Sequence, residues 1–274
     1  MKKKVCFFDA DRTLIDLRTG VPESARAALQ QLVDNGHEAF LCTGRCYASV
    51  VPELRNLPLT GIVAGCGAYI QYKGKTVLHK VMTAELAKRV LDTARAHDLV
   101  PIMEGTDYIY MDADEIDTYL AEKDAKVLHM VQQQAGKAFL PIKGNENNLQ
   151  VVKCSCVAKK TGGDYEGALK DLEDEFYGIY HYRDGKNIST VEFMPNGYSK
   201  GSSVEFVCEK LGVDIEDSVC FGDSLNDLDM FKTAHTRVAM GDSYPQIKEL
   251  ASFVTDTLEE DGIQHGLQHL GLIS

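Results

Sequence analysis

The chain opens on a short, uniformly apolar run, Val5-Cys6-Phe7-Phe8, that ends on acidic residues. The same pattern returns at Val219-Cys220-Phe221, and Ala39-Phe40-Leu41-Cys42 ends on a threonine instead. Runs this short, without polar alternation, read as strands buried on both faces of a parallel sheet. Between the runs the apolar period lengthens to that of a helix. A segment starting at Pro22 places Ala25, Leu29, Leu32 and Val33 on one face and stops at Gly36, the expected asymmetry of helix ends. Residues 1 to about 80 thus predict strand (4–8), helix (22–35), strand (37–42), helix, and strand (61–64). After residue 188 the alternation resumes: helix (200–211), strand (218–221), helix (226–233), a strand near Val238, helix (245–251), a strand near Phe253 and a terminal helix. Strands and helices in alternation predict an α/β fold with a doubly wound, parallel-sheet, Rossmann-like core built from residues 1–81 and 189–274.

The stretch between, 82–188, has the size of a domain by itself. Leu86, Val90, Leu91 and Ala94 mark a helix at 84–97, followed by strands at 100–104 and 107–111. Strands near 149–157 and 178–182 and a helix near 165–175 complete an inserted α+β cap domain. Glu104, Tyr108, Tyr110 and Lys153 stand on its strands, a pattern that an exposed sheet face also produces.

Composition narrows the choice of partner. With 274 residues and 44% hydrophobic content the chain can bury a full core. Its net charge of −12 argues against nucleic acid and anionic membrane, both of which are gripped by basic surface. No stretch approaches the roughly 18 apolar residues of a membrane span, and the basic start runs straight into the first strand, so a cytoplasmic protein is expected. Of the eight cysteines, Cys6, Cys42 and Cys220 fall in predicted buried strands, and all eight read as reduced.

The acidic residues carry the chemistry. Asp9 and Asp11 stand at i and i+2 after the first strand, and Asp223 and Asp227 at i and i+4 after the strand at 218–221. An isolated DxD is usually a solvated turn, but two carboxylate clusters at two strand ends outline an oxygen site for a hard cation. Mg2+ takes one or two protein carboxylates, keeps several waters and accepts a substrate phosphate. Thr43-Gly44 would bring a hydroxyl and flexible backbone N–H groups to the end of another strand, and Lys200 opens a predicted helix, where its charge opposes the helix dipole.

Taken together, FFDADRTLI near the start, LCTGR at 41–45, GYSKG at 197–201 and FGDSLNDLDM at 221–230 resemble, in order, the motifs of the haloacid dehalogenase-like phosphatases, and more narrowly the Cof-type branch with a type IIB cap. The resemblance implies that Asp9 is a nucleophile, Asp11 a general acid and base, and that Thr43, Gly44, Arg45, Lys200 and Asn226 bind substrate or its phosphate. It implies Mg2+ held by Asp9, Asp223, Asp227 and the carbonyl of Asp11, a small phosphorylated metabolite such as a sugar phosphate as substrate, and a cap that sets specificity. Asp11 favours phosphate esters over halides, because an alkoxide leaving group needs a proton and a halide does not. A phosphosugar mutase, a signalling receiver domain and a catalytically silent binding protein are the competing readings. The acidic pair at 223 and 227 and the long insertion count against the receiver. Arg12 departs from the family's usual glycine; if the position needs positive φ, an L-residue adopts it at a cost of about 1–2 kcal/mol. Cys66, where relatives often carry Asn, and Asp242 are further departures at the rim.

Overall fold

The structure, a computed structural model, describes residues 2–112, 139–159, 161–182 and 186–274. It divides into two compact units, one of residues 1–45, 50–79 and 198–274, the other of 46–49 and 80–197. The strand Ile188–Pro195 (β11) lies in the second unit, so the boundary expected at residue 188 falls instead at 197/198. The expected cap stretch at 113–138 is outside the described residues.

The first unit is organised by one sheet of eight strands among the described residues. They are β1 (Val5–Phe8), β2 (Glu38–Cys42), β3 (Gly61–Ala64), β4 (Tyr69–Tyr72), β5 (Lys75–His79), β12 (Ser218–Gly222), β13 (Thr236–Ala239) and β14 (Phe253–Val254). Their order is β14-β13-β12-β1-β2-β3-β4-β5. From β14 to β3 all neighbours are parallel, whereas β4 and β5 pair antiparallel. The expected parallel core is present, and the hairpin adds an antiparallel edge to it. The hairpin escaped the sequence reading because Tyr69–Tyr72 is buried only in its first half and Lys75–His79 is largely exposed, so neither shows a clean apolar run. Likewise the helix expected between 43 and 61 is a 3-10 turn at Tyr47–Ser49 and a single helical turn, Pro52–Arg55.

β1 and β12 are buried at every position, and their rings stack across the sheet, Phe8 on Phe221 at 4.8 Å and Phe7 on Phe40 of β2 at 5.6 Å between centroids. The helix Glu23–Asp34 buries Ala25, Ala28, Leu29 and Leu32, with Val33 half-buried. The helix Lys200–Leu211 buries Val204, Val207 and Cys208 and ends at Gly212, whose φ of +62° is the left-handed stop that glycine supplies most cheaply. Register sets the outcome for the site. Phe8 lies opposite Leu41 on one side and Phe221 on the other, so β1, β2 and β12 finish level and deliver Asp9, Thr43 and Asp223 to one edge. β1 is also where strand order reverses, the place at which open α/β sheets form a crevice beyond the carboxyl ends of their strands.

The second unit has, among its described residues, a sheet ordered β10-β11-β9-β6-β7-β8. The new strands are β6 (Leu99–Gly105), β7 (Ile109–Tyr110), β8 (Phe139–Leu140), β9 (Val151–Ala158) and β10 (Phe176–Tyr182). The helices Ala84–Ala96 and Tyr165–Leu172 cover one face through Ala87, Val90, Leu91, Ala94, Ala168 and Leu172. All eight cysteines of the chain are free and buried.

Candidate active site

Asp9 follows β1 directly, and its N–H donates to the Phe221 carbonyl at 3.0 Å, which ties it to the end of β12. One carboxylate oxygen of Asp9, one of Asp223 and one of Asp227 lie within 4.8 Å of one another, and all three residues are buried. Into this group comes the ammonium of Lys200, 1% exposed, donating to Asp9 at 2.5 Å, to Asp227 at 2.6 Å and to the Asn226 amide oxygen at 3.4 Å. The position of Lys200 in the first helical turn, unfavourable to the dipole, is thus offset by two carboxylates. Its backbone is set by a reciprocal cap, in which Ser199 accepts from the Ser202 N–H and Ser202 accepts from the Ser199 N–H.

Asp227 spends both oxygens. One takes Lys200, and the other takes the N–H groups of Asp223 and Ser224, each at 3.1 Å. This fold of the 222–227 turn requires Gly222, since a Cβ there would stand 2.7 Å from the Asp227 carboxylate. Asp223 is held by the buried Thr13 hydroxyl, which donates to it at 3.4 Å, and by the Tyr244 N–H, which donates to its carbonyl at 2.9 Å. Thr13 and Ser199 lie inside the first and third motifs, but their partners were not legible there, because they are set by tertiary approach and by the local turn.

One ammonium does not neutralise three buried carboxyls. Burial and the facing Asp227 push the Asp9 carboxyl up to about 7, while burial and Asp9 push that of Asp223 up to about 8. Burial would pull Lys200 down, but Asp227 and Asp9 outweigh it and hold the ammonium charged. A set of buried oxygen donors with excess negative charge fits a hard divalent cation, with Asp9, Asp223 and Asp227 the residues in reach.

The other expected residues are placed differently. The Asp11 carboxylate is half-exposed and turns to Arg45, whose guanidinium grips it as a fork, Nε to Oδ2 at 2.8 Å and Nη2 to Oδ1 at 2.6 Å. Desolvation therefore does not set the environment of this group; an arginine does. Thr43 is buried at the end of β2, its hydroxyl accepting the Arg45 N–H at 3.1 Å and so keeping its own O–H as a donor. Gly44 is buried beside it. Cys66, whose N–H donates to the Thr43 carbonyl at 3.1 Å, has φ +50°, a conformation that asparagine tolerates better than most residues.

The family model for haloacid dehalogenase-like hydrolases matches residues 6–267. YkrA of Bacillus subtilis (strain 168), a protein named as a candidate phosphatase, is 29% identical over the full length of both chains. YitU of the same organism, a 5-amino-6-(5-phospho-D-ribitylamino)uracil phosphatase, is 24% identical over 95% of this chain and 94% of its own. In fold, the chain superposes on a subclass IIB sugar phosphatase of the superfamily with a TM-score of 0.78, at 21% identity, over 99% of this chain and all of that one. With the motif residues gathered at one sheet edge and a family match spanning nearly the whole sequence, this chain belongs to the haloacid dehalogenase-like hydrolase family and stands with its phosphatases.

Proposed function

We propose that the protein is a Mg2+-dependent phosphatase that hydrolyses small phosphorylated metabolites, sugar phosphates among them, through an aspartyl-phosphate on Asp9. The observation that carries this reading is the buried group in which Lys200 bridges Asp9 and Asp227 beside Asp223. An Asp9 oxygen attacks phosphorus, the bond to the leaving oxygen breaks, and Asp11 supplies the proton that this oxygen takes up. Water, giving a proton back to Asp11, then attacks the acyl phosphate, releasing inorganic phosphate and restoring the Asp9 carboxylate. Mg2+ held at Asp9 and Asp223, with Asp227 beside them, would neutralise the repulsion between carboxylate and phosphate.

Lys200 keeps the nucleophile aimed and meets phosphate charge, and Asn226 steadies the ammonium as well as lying in reach of a phosphate. The Thr43 hydroxyl and the backbone around Gly44 bind phosphate oxygens. Arg45 is a positioning residue, fixing the orientation of the Asp11 carboxyl. Substrate choice is assigned to the inserted second unit, as expected of a domain-sized insertion that carries none of these groups.

The test is release of inorganic phosphate from a panel of sugar phosphates and an aryl phosphate, with and without Mg2+, by wild type and Asp9→Asn. The expected result is Mg2+-dependent release that falls at least about a thousandfold in Asp9→Asn. Equal release by both proteins would refute the nucleophile, and none by either would refute the phosphatase reading.

A further inference from the structure

Arg12 sits beside the site at φ +62°, the left-handed region that strains an L-residue. The loop around it is tightly built, with the Arg12 N–H donating to Ile15 at 2.8 Å and the N–H groups of Leu14 and Ile15 both donating to Ala10. Glycine would satisfy this backbone without strain. The side chain reaches across 230 residues of sequence to form an ion pair with Asp242, in the loop after β13. The two side chains are 52% and 35% exposed, and a pair this open is screened by solvent and contributes little. The pair is thus a weak offset to the strain, and stability alone does not explain an arginine here. Strain of this kind is characteristic of functional positions. The guanidinium is also close enough for its charge to act on Asp223. In a molecule of net charge −12, it offers a half-exposed, forked cation beside a phosphate site.

We propose that Arg12 is a specificity-determining residue that binds a second anionic group of the substrate, a carboxylate or further phosphate, with Asp242 as the counter-ion that this group displaces. The proposal rests on the phosphatase reading above. A substrate bearing only its reacting phosphate leaves the Arg12–Asp242 pair closed, whereas one with a second anion at suitable reach exchanges one carboxylate for another on the same fork. Removing Asp242 frees the cation for substrate, and removing Arg12 takes the cation away, so the two substitutions shift selectivity in opposite directions. A merely structural clasp predicts the reverse, since breaking it from either side has the same consequence.

The experiment compares kcat/KM for matched substrates, sn-glycerol 3-phosphate against 3-phosphoglycerate and glucose 6-phosphate against 6-phosphogluconate, in wild type, Arg12→Gly, Arg12→Lys and Asp242→Asn. In at least one pair the carboxylate-bearing member is expected to be preferred about tenfold or more. That ratio should collapse towards one in Arg12→Gly, mainly through KM, recover in part in Arg12→Lys, and rise in Asp242→Asn. A ratio unchanged by Arg12→Gly in both pairs, or shifted the same way by Arg12→Gly and Asp242→Asn, would overturn the proposal. Failure of wild type to release phosphate from any of the four would instead count against the phosphatase reading. Arg12→Gly relieves backbone strain, so its thermal midpoint should be no lower than that of wild type, which separates lost selectivity from lost folding.

Discussion

At the scale of single residues, the two acids of the first motif live in different environments although they are two positions apart. Asp9 is buried against Lys200, while Asp11 is half-exposed in the fork of Arg45. A group that delivers and recovers a proton must be open to exchange with the leaving oxygen and with water, and the half-exposure of Asp11 is compatible with the acid–base role proposed for it. Its contribution should therefore depend on how much help the leaving group needs. Asp11→Asn is expected to lower turnover of an alkyl phosphate by about 10²–10⁴, with a much smaller effect on p-nitrophenyl phosphate, whose phenolate leaves unaided. Equal losses on both substrates, measured by steady-state kinetics, would show that Asp11 acts on something other than the leaving group. The spacing of these acids was legible in the sequence. The grip of Arg45 on Asp11 was not, because a side chain at a strand end points to a partner only once two strands lie side by side.

At the scale of elements, the sheet of the second unit carries a charged group of its own. Lys153 on β9, almost fully buried, lies 2.7 Å from Glu192 on β11 and 3.5 Å from Glu104 on β6. His181 on β10 approaches Glu192 at 2.9 Å, and the Ser155 hydroxyl donates to Glu104. Burial would push the Glu192 carboxyl up, but Lys153 and His181 outweigh it and hold it below the ordinary range. Removing the lysine leaves two glutamates in one desolvated place. Lys153→Met is accordingly expected to cost about 3–5 kcal/mol, read from the midpoint of urea unfolding, and Lys153→Arg much less. A cost within about 0.5 kcal/mol would show that water reaches the group. Glu104 and Lys153 were visible in the sequence only as polar residues on strands. Their pairing depends on the antiparallel register that sets Glu104 opposite Lys153, and β11, which supplies Glu192, read as the start of the core and not as part of this sheet.

At the scale of the whole molecule, part of the acidic balance is met by local ion pairs. Lys2 pairs with Asp214 and Asp217, Lys3 with Glu38 and Lys4 with Asp217. The three buried active-site carboxyls share the single ammonium of Lys200 and give the metal-free protein a characteristic pH dependence. Asp9 and Asp223, at about 7 and 8 folded against 3.8 in model compounds, bind protons more tightly in the native state than in the unfolded chain. Their contribution is full below pH 3.8 and is lost as pH rises through 7 to 8. Glu192 has the opposite sign, contributing above 4.5 and losing that contribution as pH falls, so the two effects occupy different windows. In the presence of a chelator the thermal midpoint is expected to fall between pH 6 and pH 8.5 by more in wild type than in Asp223→Asn. Added Mg2+ should raise it most at the alkaline end, where mass action works on ionised ligands. A midpoint independent of pH in both proteins would contradict this charge distribution.

The sequence by itself determined the alternation of buried strands and amphipathic helices, the strand ends on which Asp9, Thr43 and Asp223 sit, and the family, because apolar period and short motifs are local properties of a chain. It left open whatever depends on approach between distant segments. The antiparallel hairpin β4-β5, the boundary at 197/198, the burial of Lys200 against Asp9 and Asp227, and the pairing of Arg12 with Asp242 were decided only by the tertiary structure. Two of these bring together residues about 190 and 230 positions apart. Such contacts follow from strand register and from electrostatics in a buried, poorly solvated site, and neither has a period that a linear reading can detect.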